Sequence, residues 1–141
     1  MKGLLSILVL GLTLLTCDRE DCCVLTPELA EFHGEWKLER VTNGFAQLEL
    51  IGSDEIGYQE NLYINAANKT FIVQIDNLPK EMSRLEKGKQ GDLDALILLD
   101  EGMYHWYSFE LWKNKEYLVL YQKCPIDAFL ADGSYYYYSK Q

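Results

Sequence analysis

Two histidines, His33 and His105, and four cysteines, Cys17, Cys22, Cys23 and Cys124, are the side chains in this sequence best equipped to hold a metal or attack an electrophile. Their spacing suits neither task. Structural zinc takes four ligands, commonly from paired CxxC or HxxxH arrangements, and neither spacing occurs here. A serine nucleophile needs an elbow such as GxSxG with a histidine to serve it, and no such elbow, phosphate loop or Gly-rich dinucleotide turn is present. Asp92, Asp94, Asp100 and Glu101 form the densest group of carboxylates. Ile97 stands where an EF-hand loop requires Gly, and no bidentate Glu closes it, so these acids read as hairpin ends and solvated rim charges. With 22 acidic residues in 141, no single pair of carboxylates marks a sugar-cleaving site. The residues point to a protein that is not an enzyme and that uses no metal and no cofactor.

A formal charge of −9 and a pI near 4.6 remove nucleic acid as a partner, because that affinity comes from Lys and Arg displacing condensed counterions. The length suits one domain, and no apolar run reaches the roughly 18 residues of a membrane-spanning helix. Lys2 is followed by 14 uncharged residues, Gly3 to Thr16, the size of a signal-peptide core. The end of that run, Leu14-Leu15-Thr16-Cys17, resembles the lipobox of bacterial lipoproteins. The resemblance implies acylation of Cys17 and cleavage just before it, hence a membrane partner reached through an N-terminal lipid and location in the envelope, at the outer membrane. Several acyl chains on one Cys hold firmly because each buried methylene is worth about 0.8 kcal/mol. Asp18-Arg19-Glu20-Asp21 then reads either as a solvated tether or, by resemblance to an export signal of some Gram-negative groups, as a mark for the cell surface. Loss of residues 1–16, Lys2 among them, takes the formal charge from −9 to −10.

With Cys17 lipidated, Cys22, Cys23 and Cys124 remain, and an odd number cannot all pair. One bridge from Cys23 (or Cys22) to Cys124 would close a loop of about 100 residues and contribute roughly 4 to 5 kcal/mol in the chain-entropy model; free or vicinal thiols are the alternative.

The elements that would position a site begin at residue 25, after the signal (1–16) and the acidic tether (17–24). Thr26 to Gly34 has the caps of a short helix, with Pro27 at its first position and Gly34 past its end. Alternation then sets in. Trp36, Leu38 and Arg40 share one face of a strand and Lys37, Glu39 and Val41 the other, up to the turn at Asn43-Gly44. Phe45 to Ile51 either pairs back through that turn or belongs to one long loop. Leu62 and Ile64, then Phe71, Val73 and Ile75, mark a hairpin around the turn at residues 65–69. Residues 77–90 are mixed in charge, with room for one short strand near Leu85. Leu93 to Leu99 reads as a buried strand, Met103 to Trp112 as an aromatic strand, and Tyr117 to Tyr121 and Ser134 to Ser139 as the last two. On the aromatic strand His105 shares a face with Met103, Tyr107, Phe109 and Leu111, as either a satisfied core histidine or a ligand contact. Tyr135 to Tyr138 put two rings on each face, for core filling or for binding. Many short strands with compact turns predict an all-β fold, a barrel or sandwich.

Gly34-Glu35-Trp36 at the entrance to the first strand, behind a short helix, resembles the start of lipocalins. The whole of residues 25–141 looks like the small lipocalin-like (calycin) domains of bacterial lipoproteins. The resemblance implies a small antiparallel up-and-down β-barrel of about eight strands, closed at one end where Trp36 acts as plug. In that family an Arg near the final strand stacks over the Trp; here the last strand offers only Lys140, and Arg40 lies on the first. The family's Thr-Asp-Tyr loop motif has no counterpart, so the resemblance is one of fold class. The barrel reading together with the aromatic load predicts a binding cavity for a small apolar or amphipathic molecule, lined by Leu62, Phe71, Val73, Tyr107 and Phe109. The alternative is a packed-core structural or protein-interaction module without a ligand, which an enclosed apolar volume well below about 300 Å³ would favour.

Overall fold

The computed structural model describes residues 27–141; the segment carrying Cys17, Cys22 and Cys23 lies outside the described residues. A 3₁₀ helix, Pro27–Phe32, leads into ten strands: β1 Gly34–Asn43, β2 Leu48–Ile51, β3 Glu60–Asn65, β4 Thr70–Ile75, β5 Leu78–Gln90, β6 Leu93–Leu98, β7 Met103–Trp112, β8 Lys115–Tyr121, β9 Cys124–Pro125 and β10 Tyr135–Lys140. One short helix, α1 Gly52–Ile56, lies between β2 and β3. Eight of the strands close into an antiparallel barrel in the order β1-β3-β4-β5-β6-β7-β8-β10, with β10 returning to β1. The strand β2 pairs with the far half of β1, and β9 with the start of β7.

Turn chemistry sets much of this register. Asp76-Asn77 and Lys113-Asn114 both take positive φ, between 50° and 64°, the geometry of two-residue hairpins whose twist matches the flanking strands. They join Ile75 to Leu78 and Trp112 to Lys115. At the β3–β4 turn the Asn65 carboxamide oxygen accepts from the amides of Ala67 and Asn68. Of the Phe45–Ile51 stretch, Leu48–Ile51 pairs back on β1, with Asn43 opposite Leu48 across a four-residue loop.

Three sequence expectations are corrected. In β1, Trp36 and Leu38 face inward, but the register with β10 slips between Leu38 and Arg40. That bulge at Glu39 reverses the alternation, so Val41 is buried in place of Arg40. Arg40 lies outside, its guanidinium 3.7 Å from the Tyr137 ring and 4.5 Å from that of Trp112. Residues 78–90 form one long strand, not a short one at Leu85, pairing first with β4 and then with β6. Its inward positions before Leu85 are Glu81 and Ser83, so no apolar alternation announces it. Leu111 runs past the barrel rim and is 75% exposed.

Inward-facing Leu62, Ile64, Phe71, Leu85, Leu96, Leu98, Leu118 and Leu120 fill the barrel, each worth about 1.5 to 3 kcal/mol on burial. A second, smaller core lies outside the wall, where residues 122–134 fold back over β6, β7 and β8. Ala95, Tyr104 and Cys124 are buried there beside Trp106 and Ile97. The Tyr104 hydroxyl donates to the Ala128 carbonyl and that of Tyr121 to the Leu130 carbonyl. Gly133 closes this flap: its amide donates to the Tyr121 hydroxyl at 2.7 Å, and a Cβ there would fall 2.7 Å from the Tyr121 ring. Gly133→Ala is therefore expected to lower stability by about 1 to 3 kcal/mol. At Gly44 a Cβ meets nothing within 4 Å, so Gly44→Ala should leave the thermal midpoint unchanged or slightly raised. Equal melting curves for the two variants would contradict the close packing of the flap.

Candidate functional site

The two ends of the barrel differ. At one end the 3₁₀ helix buries Leu29 and Phe32, spaced three apart as one turn of such a helix requires. The Phe32 ring lies 4.9 Å from Tyr107, edge to face, and 5.4 Å from Phe109. Trp36 donates its indole N–H to the Phe32 carbonyl at 2.7 Å, and the Lys140 ammonium sits 5.3 Å from its ring centroid. The helix is thereby bonded to the first strand, and this end is plugged. The Gly34 and Trp36 motif sits in the plug, with φ of 128° at Gly34 and the Lys140 stem where a Cβ would project.

The other end, where β3, β5 and β10 begin and β4 and β8 finish, holds a cavity of about 330 Å³. Leu62, Phe71, Val73, Ile75 and Leu120 form its apolar walls, while Tyr58, Tyr136, Tyr138, Glu60, Glu81, His105, Gln122 and Lys123 supply the polar groups. Of the residues expected to line a binding cavity, Leu62, Phe71 and Val73 meet here. Tyr107 and Phe109 do not border this cavity; they pack under Phe32 at the plugged end. The tyrosine run divides as the alternation requires. Tyr136 and Tyr138 reach the cavity, while outside the wall Tyr135 packs on Tyr121 and Tyr137 on Arg40 and Tyr117.

Glu60 escaped the sequence reading, which began this strand at Asn61. The available signal was its place two residues before Leu62, on the inward period of β3. Its carboxylate accepts from the Tyr138 hydroxyl. Burial pushes the Glu60 carboxyl above its ordinary value, more than that hydrogen bond pulls it back, and Glu81 adds to the rise. Burial and the Glu60 charge push Tyr58 up to about 12, and Tyr136 and Tyr138 are raised for the same reasons. All three phenols keep their protons at any ordinary pH. For Lys123, loss of solvent works against the charge, but the Glu101 and Glu81 carboxylates, each at 2.7 Å, outweigh it and raise the ammonium.

His105 stands on the cavity wall with Nδ1 2.7 Å from the Tyr121 carbonyl oxygen. A carbonyl only accepts, so Nδ1 carries the proton and Nε2 is left as an acceptor. Part of its surface is open to the cavity, yet protein surrounds the ring, and this desolvation lowers its pKa to about 4. His105 therefore serves both readings open to it in the sequence, as a satisfied core residue and as a neutral member of the cavity wall.

Of the other sequence candidates, His33 accepts the Ala66 amide at Nδ1, and Asp100 holds both the backbone and the guanidinium of Arg84. Asp94 pairs with Lys89 at 3.4 Å. Cys124 is 2% exposed within the outer core, its thiol 3.4 Å from the Gln122 carbonyl. Its proposed partners, Cys23 or Cys22, fall outside the described residues, as does Cys17. Among the described residues no helix is long and apolar enough to cross a membrane.

The fold and site define a class: a closed, eight-stranded antiparallel barrel, plugged at one end and hollow at the other. The chain matches no family model, no curated protein and no solved structure.

Below pH 6.5 an unfolded chain protonates the His105 imidazole while the folded one does not until about pH 4, so the histidine's contribution to stability falls as pH drops through that window and levels off beneath it. His105→Asn, whose side-chain N–H can replace Nδ1–H toward Tyr121, should flatten that part of the profile. Urea midpoints measured from pH 7 to pH 4 with parallel slopes for the two proteins would refute it.

Proposed function

We propose that this chain is a lipid-anchored envelope protein with a lipocalin-like barrel, and that it binds a small amphipathic molecule in the barrel mouth without transforming it. The observation that carries the binding reading is the cavity of about 330 Å³ opposite the plug, at the lower end of the several-hundred-Å³ range of ligand pockets. Apolar walls at Leu62, Phe71 and Val73 would take the carbon skeleton, and the tyrosine hydroxyls the polar end. The deeper interior is filled by leucines and Phe32, which restricts the occupant to a small one. Binding without turnover is supported by the cavity's chemistry: among the described residues no Ser, Thr or Cys lines it, and its one Lys, Lys123, is doubly paired. The anchor is supported by the sequence alone, through the run ending in Cys17.

None of the three tryptophans borders the cavity, so the ring signals of Tyr58, Tyr136 and Tyr138 are the proper reporters of occupancy. Titration with short-chain amphiphiles should move these signals and leave the Trp36 indole unmoved. Val73→Phe, which adds a ring to the wall, should weaken binding on the order of tenfold, about 1.4 kcal/mol. Signals that stay fixed would favour the second reading, a ligand-free interaction module, for which the exposed Phe45, Leu48 and Ile51 on the β1–β2 hairpin are the supporting observation. The anchor has its own test. Mass spectrometry of protein taken from membranes should find Cys17 as an acylated N-terminus, and Cys17→Ser should move the protein to the soluble fraction; an unmodified start elsewhere would overturn the anchor.

A further inference from the structure

The charges around the cavity do not balance among the described residues. Among the described residues lining it, Lys123 is the only cation, and it is matched by Glu81 and Glu101 at 2.7 Å each. Glu60 has the Tyr138 hydroxyl as its partner and makes no ion pair within the described residues. Glu60 is half-buried at the mouth, and a carboxylate partly withdrawn from water with one neutral donor is under-compensated. His105 adds an acceptor, since its Nδ1–H is committed to the Tyr121 carbonyl. Tyr58 and Tyr136 stand close enough to feel the Glu60 charge, and their ring faces are attractive to a cation.

We infer that the molecule bound in this cavity is a primary amine in its ammonium form on a short apolar body, paired with Glu60 and flanked by Tyr58, Tyr136 and Tyr138. This rests on the binding reading above and names its ligand class. An ammonium supplies the charge and N–H donors that Glu60 and His105 lack, while its carbon chain meets Leu62 and Phe71. A fatty-acid head is disfavoured by the same geometry: it would meet Glu60 and Glu81 and find no unmatched cation among the described residues that line the cavity.

The test is calorimetric titration of the intact protein at pH 7.5 with n-hexylamine, n-hexanol and hexanoate, which share a chain and differ in head group. Hexylamine should bind tighter than hexanol by about tenfold or more, as a charge-assisted hydrogen bond implies, with hexanoate weakest. Glu60→Gln should abolish the amine's advantage and keep hexanol binding, which also shows that the variant folds. On the unaltered protein, hexylamine affinity should fall as pH is lowered through the raised Glu60 pKa, while hexanol affinity stays level. The facing phenols of β10 and Tyr58 remain protonated over that range, and His105 remains neutral down to about pH 4; the other charged groups at the mouth, Glu81 and Lys123, are paired with each other at 2.7 Å. If hexanol or hexanoate binds as tightly as hexylamine, or Glu60→Gln keeps the preference, the amine assignment fails and the cavity reading stands. If none of the three binds, both fail.

Discussion

Residues from Trp36 to Thr42 on β1 hydrogen-bond to residues from Tyr135 to Lys140 on β10, and this seam converts a meandering sheet into a closed barrel. Its members come from opposite ends of the described chain, so most of the chain must be ordered before the seam can form, a costly closure that local hairpins do not face. Glu39 holds it. Displaced by the bulge, its carboxylate accepts from Ser139, 100 residues away, from Lys115 and from Tyr117, each at 2.7 Å. Burial alone would raise this carboxyl, but the three donors together keep it below its ordinary value. One side chain thus ties β1, β8 and β10 across the join between the two ends of the described chain. The same bulge turns Val41 inward and Arg40 onto the rings of Trp112 and Tyr137, which gives the seam a packed outer face.

Closure with eight strands leaves an interior that side chains can nearly fill, and the two ends use that space differently. At the plugged end large rings occupy it: Phe32 from outside the barrel, Tyr107 and Phe109 from β7, Trp36 from β1. At the mouth the inward residues are Glu60, Glu81, His105, Tyr136 and Tyr138, polar groups that do not close over one another as hydrocarbon does. The cavity exists because charged and hydroxylated side chains stand at the inward positions where strands begin. Emptiness and polarity at the mouth have one origin.

The sequence showed the fold class, the β3–β4 hairpin, β6, β7, β8 and β10, because their apolar residues alternate or cluster between recognisable turns. It could not show the bulge at Glu39, which arises from cross-strand register and leaves no mark in local pattern. The length of β5 was hidden for a related reason: Glu81 and Ser83 occupy inward positions that a rule based on apolar alternation discards. Three members of the expected cavity, Leu62, Phe71 and Val73, were legible from the hairpin's inward period. Tyr107 and Phe109 satisfied the same period, yet only the three-dimensional position of the 3₁₀ helix shows that they face Phe32. Glu60, Glu81 and Lys123 come from three separate segments, and nothing local announces their meeting.

The backbone amide of Gln141 donates to the carbonyl of Glu35, so the beginning and the end of the barrel emerge side by side at the plugged end. A force separating the two ends would therefore load the seam as a zipper, breaking the β1–β10 hydrogen bonds in succession instead of shearing them together. Traction would open the seam from Trp36 and Lys140 at the plugged end toward Thr42 and Tyr135, so the contacts nearest the mouth would part last.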